Sequence, residues 1–193
     1  MTNNFTAGDV LKVLPKLTRN MLSLWQGRGQ VKPKVQAEGQ GTRNEYSFEN
    51  VCQIELFRRL IKEKFSRHRA SEFAFAKNTE SAFKLIRALD HGKNQLAIEY
   101  YSGKVVDDEE IGIEWERNPM TGESSGKRVN FKSPRIKMVF FRSGEYMRSS
   151  FFDEKNFDHV RQELMISDTV FIIDLYQIYE SVKDGFLRAG ILG

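Results

Sequence analysis

Thr18-Arg19-Asn20-Met21-Leu22-Ser23-Leu24-Trp25-Gln26-Gly27-Arg28-Gly29-Gln30-Val31-Lys32-Pro33 is the stretch that decides the reading of this chain. Thr18 is a good helix N-cap, Leu22 and Trp25 fall at i and i+3 on one inward face, and Gly27 and Gly29 punctuate the end. A helix is predicted over residues 19–27. Val31 to Val35 reads as a short extended segment, because the residue before Pro33 is pushed out of the helical region. Upstream, Thr6 precedes a two-turn amphipathic stretch, Ala7 to Leu14, with Val10, Leu11 and Leu14 on one face, and Pro15 stops it or turns the chain. Two short helices across a tight turn are the pattern of a helix-turn-helix.

Downstream, Gly39-Gln40-Gly41 makes a glycine tip and Thr42 to Tyr46 returns from it. Ser47 caps a third helix in which Phe48, Val51, Ile54, Phe57 and Ile61 recur at three and four residues. A basic, glycine-tipped hairpin between two helices is what a wing looks like. Between residues 66 and 90 the apolar pattern is helical but fits one helix or two. From Gln95 the period falls to two: Leu96, Ile98 and Tyr100, then Ile111, Ile113 and Trp115, read as strands. Residues 118–126 read as a turn-rich connector, Val129 and Phe131 follow, and Ile136, Met138 and Phe140 share a strand face. Four antiparallel strands are expected. Asp153 can cap a helix holding Phe157, Val160 and Leu164. After Ser167-Asp168 a last helix places Phe171, Leu175, Ile178, Val182 and Phe186 on one stripe. The fold class expected is α+β: an N-terminal winged helix-turn-helix over residues 1–76, then a C-terminal antiparallel-sheet domain with helices over 77–193.

Composition bounds the function. With 193 residues, 40% hydrophobic and 29% charged, the chain can bury a core and is not disordered. It has no apolar run near the roughly 20 residues that span a bilayer and no secretion signal at its start, so a soluble cytoplasmic protein without membrane contact is expected. One cysteine, Cys52, makes no intramolecular disulfide and reads as a buried, inert thiol; His68, His91 and His159 lack metal-site spacing. No metal and no cofactor is expected. The charge is uneven: residues 1–70 carry 13 Lys and Arg against 6 Asp and Glu, or +7, while 71–193 carry 17 against 20, or −3. Asp107 to Glu110 reads as a solvated acidic turn. Glu114 and Glu116 share a strand face, but no histidine, activated serine or phosphate loop accompanies them, so an enzyme is not expected.

Several features, in order, resemble the DNA-binding domain of the MerR family of transcriptional regulators, a winged helix-turn-helix. Phe5 to Val10 is similar to the family's opening helix, and Thr18 to Leu22 falls where its recognition helix begins. Leu24 to Pro33 resembles its aromatic-to-glycine-to-proline passage, and Gly39 to Phe48 its wing and Tyr-Ser entry into the next helix. Departures are Ser23 where many members have arginine, Gln26 where they have glutamate, and Gln30 in place of a leucine. The likeness covers about the first 65 residues and stops near residue 75; the family's long coiled-coil helix and cysteine metal-sensing loop have no counterpart beyond. The resemblance implies binding of double-stranded DNA, coupling of a C-terminal domain to promoter distortion, and a contact with RNA polymerase.

Charge makes a separate case for DNA. Arg19, Arg28, Lys32, Lys34 and Arg43 stand on the second helix, its exit and the wing, where they would neutralise phosphates and release counterions. Thr18, Arg19, Asn20 and Ser23 are placed to reach base edges, arginine suiting guanine and asparagine adenine, with Thr18 also an N-cap. Tyr46 is placed at the wing base with its hydroxyl toward backbone or a phosphate, and Trp25 in the core. A module this small reads one half-site, so a homodimer is expected, with the stripe on the last helix either pairing with its copy or packing on the sheet of its own chain. Tyr100, Trp115 and Phe140 line a pocket for a small organic effector or simply fill a core. A fragment ending near residue 76 is expected to fold alone. The leading expectation is a sequence-specific, homodimeric transcriptional regulator. The alternatives are an architectural or excisionase-like DNA-bending protein of a mobile element, and a protein-interaction module.

Overall fold

The structure, a computed structural model, describes residues 4–37, 43–90, 113–117, 124–128, 137–143, 146–152 and 169–192. It is mixed α and β. In chain order the elements are β1 (Phe5–Thr6), α1 (Ala7–Val13), α2 (Arg19–Gly27), β2 (Glu45–Tyr46), α3 (Phe48–Lys62), α4 (Arg67–Ala74), α5 (Lys77–Asp90), β3 (Ile113–Arg117), β4 (Ser124–Arg128), β5 (Lys137–Ser143), β6 (Tyr146–Phe152), β7 (Thr169–Asp174) and α6 (Leu175–Arg188).

Side-chain caps set the early helix starts where the sequence places them. Thr6 Oγ1 accepts from the Asp9 amide at 3.3 Å while Asp9 Oδ2 accepts from the Thr6 amide at 2.9 Å, and Ser47 and Asn50 repeat the exchange at 3.2 Å each way. Both satisfy amides that a helix end leaves without partners. Thr18 Oγ1 accepts from the Met21 amide at 3.2 Å. Gly29, at φ +66°, supplies the left-handed turn after α2. Residues 66–90 form two helices, α4 and α5, with the Thr79 hydroxyl donating to the Phe73 carbonyl across their junction at 2.7 Å.

The third helix is the axis of the molecule. It buries far more than one stripe: Val51, Cys52, Ile54, Leu56, Phe57 and Leu60 are all sealed from solvent, because α4, α5 and α6 pack around it and Trp25 meets Phe57 edge-on at 4.9 Å. Glu49 and Glu55 are carried into this interior and take their counterions with them, as a buried charge must. Glu49 Oε1 lies 2.9 Å from Arg87 of α5, and Glu55 accepts from Arg58 at 2.7 Å and Arg59 at 3.0 Å. Burial pushes both carboxyls up, but hydrogen bonds, to Glu49 from its own backbone amide, Arg87 and Ser47 and to Glu55 from Arg58 and Arg59, together with the arginine charges, outweigh it and hold them below their ordinary values. Burial pushes the Cys52 thiol well up, so it is an inert core residue.

The last helix corrects three expectations. It begins at Leu175, capped by Asp174 Oδ1, which accepts from the amides of Tyr176 and Gln177 at 3.0 and 3.2 Å. Phe171 therefore belongs to a strand, β7, whose β-branched run pairs with β5. The stripe Leu175, Ile178, Val182 and Phe186 is buried within its own chain and is not open to a second copy. Its partners are the N-terminal helices: Phe186 packs on Phe5 at 4.3 Å and Phe48 at 5.4 Å, and Tyr179 on Phe48 at 5.3 Å. One apolar core runs from Phe5 to Phe186 without a break at residue 76. A 1–76 fragment would lose Phe83, Ile86, Ile178, Val182 and Phe186, at roughly 1.5–3 kcal/mol each, against a net domain stability of about 5–15 kcal/mol. Such a fragment does not keep a closed core.

Among the described residues the strands all pair antiparallel. β3 pairs with β4 from Ile113↔Arg128 to Arg117↔Ser124, so residues 124–126, read as connector, are strand; backbone pairing, not apolar alternation, holds Ser-Ser-Gly-Lys-Arg there. A second sheet has the order β6-β5-β7, and β6 was not anticipated. The positions around Leu96, Ile98, Tyr100, Val129 and Phe131, and the helix placed at Phe157 to Leu164, lie outside the described residues. The three-stranded sheet meets the helices through an aromatic seam in which Phe140 contacts Phe65 at 5.1 Å and Phe73 at 5.0 Å.

A Cβ on Gly185 would stand 2.5 Å from the Val13 carbonyl oxygen, a backbone atom that cannot move aside cheaply. Gly185→Ala is expected to destabilise the protein by about 1–3 kcal/mol, the range for overpacking, as read from its urea midpoint. Glu49 and Glu55 have depressed folded pKa values, so their contribution is present at neutral pH and lost as pH falls through the carboxylate range and below. Arg87→Gln should cost about 2 kcal/mol at pH 7, less than a fully buried pair because Arg87 is about a third exposed. That deficit should shrink as urea denaturation is repeated down to pH 3.

Candidate nucleic-acid interface

Helix α2 presents two unlike faces. Leu22 and Trp25 are buried, Met21 and Gln26 half-buried, and Arg19, Asn20, Ser23, Leu24 and Gly27 exposed. With about 3.6 residues per turn the exposed positions share an arc of roughly 140°. The sequence-predicted residues Thr18, Arg19, Asn20 and Ser23 are thus brought together on one open surface, at the capped start of the helix. Leu24, 45% exposed, belongs to the same surface and was not anticipated as part of it. Its signal was available: Leu24 stands off the Leu22–Trp25 face.

Beside α2 lies a small ribbon. Glu45 of β2 exchanges backbone hydrogen bonds with Val35, at 3.2 and 3.0 Å, while Thr6 of β1 pairs with its other edge. The Ala37 amide donates to Asn44 Oδ1 at 2.8 Å, a further rung toward residues 38–42, which lie outside the described residues together with the glycine tip. Lys32, Lys34 and Arg43 on this ribbon and its approach are exposed, as is Arg28 at the end of α2. Among the described residues none of Arg19, Arg28, Lys32, Lys34 and Arg43 enters an ion pair. Between residues 10 and 44 seven cations, Lys12 and Lys16 included, stand against one acid, Glu38.

Two site expectations are corrected. Tyr46 is fully buried. Its hydroxyl accepts from Gln26 Nε2 and so ties the ribbon to α2, and its burial keeps it out of reach of a phosphate. Burial pushes its phenol up to about 12, partly offset by the Gln26 hydrogen bond. Phe140 is likewise fully buried in the aromatic seam and lines no open pocket. Trp115 lies in β3, and Tyr100 lies outside the described residues. No described helix is long and apolar enough to cross a membrane.

Tyr46→Phe should leave the half-buried Gln26 amide without its acceptor and cost about 1 kcal/mol. Because the Tyr46 pKa is raised on folding, its contribution is complete below pH 10 and is lost as pH rises toward 12. The gap between wild type and Tyr46→Phe in urea midpoint should therefore narrow between pH 8 and pH 11.

No protein-family model matches the chain, and no curated protein matches it significantly. The functional reading rests on these residues and their geometry.

Proposed function

We propose that this protein binds double-stranded DNA sequence-specifically and regulates transcription, with α1 and α2 acting as a helix-turn-helix and the Val35–Glu45 ribbon as its wing. The observation that carries the reading is the uncompensated basic surface. Arg58 and Arg59 pair with Glu55 and Arg69 with Glu72, whereas among the described residues Arg19, Arg28, Lys32, Lys34 and Arg43 form no ion pair. Glu38 and Glu45 are the two carboxylates in the stretch of sequence from Arg19 to Tyr46. A surface of this kind suits a polyanion whose counterions are released on binding. Arg19, Asn20 and Ser23, exposed at the capped start of α2, carry the donors and acceptors that a major groove is read with.

We place Arg28, Lys32, Lys34 and Arg43 on phosphates and Arg19 and Asn20 on base edges. Tyr46 acts from behind, holding the ribbon against α2 through Gln26. Two half-sites about 34 Å apart favour a homodimer, and its interface uses a surface other than the buried stripe of α6. Membership of the MerR family, and with it a contact to RNA polymerase, belongs to this same proposal.

Selection of the full chain against a random duplex pool tests the reading. A discrete inverted repeat is the expected outcome; bending with loose sequence preference would favour an architectural protein, and no enrichment would remove DNA as the partner. On the selected duplex Arg43→Ala should weaken specific and nonspecific binding alike and lower the salt slope by about 1. Asn20→Ala should cost about 1–3 kcal/mol on the preferred sequence alone. Salt titrations of both variants on selected and scrambled duplexes separate the two roles.

A further inference from the structure

The exposed face of α2 changes character along its length. Its start is polar, with Arg19, Asn20 and Ser23, but its end is low and apolar, with Leu24 and Gly27. Gly27 lies at the centre of the exposed arc, one turn beyond Ser23. Neither packing nor backbone geometry explains a glycine there. Among the described residues a Cβ at Gly27 would meet nothing within 4 Å. Its φ is not positive, and the left-handed turn that ends the helix is made by Gly29. Gly27 is the last residue of α2, where glycine costs less than in a helix interior but still gives the fold no packing and no turn that alanine would not. What remains of glycine's uses is close approach of the backbone to something outside the chain.

Leu24 neighbours Gly27 on that face, at i and i+3, and is 45% exposed. A leucine exposed singly carries no message. This one projects beside the bare backbone of Gly27, with Asn20 one turn before it and Arg28 one turn after. In a major groove the only apolar group on a base edge is the C5-methyl of thymine. The surrounding excess of cations over acids fits that polyanionic partner and not an apolar protein surface.

Resting on the DNA reading above, we infer that Leu24 is a specificity-determining residue that packs on a thymine methyl group, and that Gly27 is small so that the end of α2 can come close enough for it to do so. Asn20 and Leu24 then read adjacent parts of one half-site, the first through hydrogen bonds and the second through apolar contact. Arg28 fixes the depth of the helix by holding a phosphate.

The probe is the tightest duplex that the full chain recovers from a random pool, with each thymine replaced singly by deoxyuridine, which removes only the methyl. At one thymine of the half-site the replacement should weaken wild type about fourfold, the change for one methyl-sized apolar contact, and should leave Leu24→Ala unaffected. Gly27→Ala should melt no lower than wild type, since it improves helix propensity, yet bind the duplex about tenfold more weakly, as overpacking at a close contact requires. Equal deoxyuridine effects in wild type and Leu24→Ala, or none at any thymine, would overturn the assignment of Leu24 while DNA recognition stands. Unchanged affinity in Gly27→Ala would overturn the close approach. Recovery of no duplex at all would instead remove the DNA reading itself.

Discussion

Phe186 lies against both Phe5 and Phe48, with ring centroids 4.3 and 5.4 Å away, and the residue before it is a glycine because the backbone of Val13 passes where a side chain would be. This single contact joins the two ends of the chain. It seats α6 on α1 and α3, closes the interior around the buried face of α3, and fixes β1, whose pairing with β2 locates the ribbon. The orientation of α2 then follows from Trp25 against Phe57 and from Gln26 donating to Tyr46. Side chains in a close-packed interior do not shift independently, so the exposed face of α2 owes its position to a helix more than 140 residues away in sequence.

Charge is sorted by the same packing. The cations that reach into the interior around α3 are neutralised: Arg58 and Arg59 by Glu55, Arg87 by Glu49, and Lys183 by Asp90, which also accepts from Tyr179 at 2.7 Å. Among the described residues, Arg19, Arg28, Lys32, Lys34 and Arg43 around α2 and the ribbon are not. Like charges left together on one surface repel and weaken the folded state slightly, and a fold indifferent to them would mix in acids, as α4 does with Arg69 and Glu72.

The sheet is attached differently. Its contact with the helices is an aromatic seam of Phe65, Phe73, Phe140 and Phe171, close in ring spacing and largely edge-on, the arrangement that ring quadrupoles favour. The seam lies at the corner between α3 and α4. From the same helix α4 the Ser71 hydroxyl donates at 2.7 Å to the carbonyl of Gln30, just beyond α2. Helix α4 thus touches the sheet on one side and the exit of the candidate recognition helix on the other.

Among the described residues up to Lys62 the sequence by itself determined the starts of α1, α2 and α3, the turn at Gly29, the return strand at Tyr46 and the burial of Trp25. Each of these depends on neighbours within a few positions, a capping oxygen, a glycine or an apolar spacing. It likewise placed Arg19, Asn20, Ser23, Arg28, Lys32, Lys34 and Arg43 on the surface. Strand β6 had a local signal, the dipeptide Gly144-Glu145 between Ser143 and Tyr146, and it went unread. Tertiary structure alone decided the rest. Whether Tyr46 faces solvent, Phe140 lines a pocket or the stripe of α6 meets a second copy depends on which distant surface arrives first to cover it. In each case the cover is this chain's own. An apolar side chain is indifferent to what buries it, so a pattern of such residues specifies that a face will be covered and not by which element.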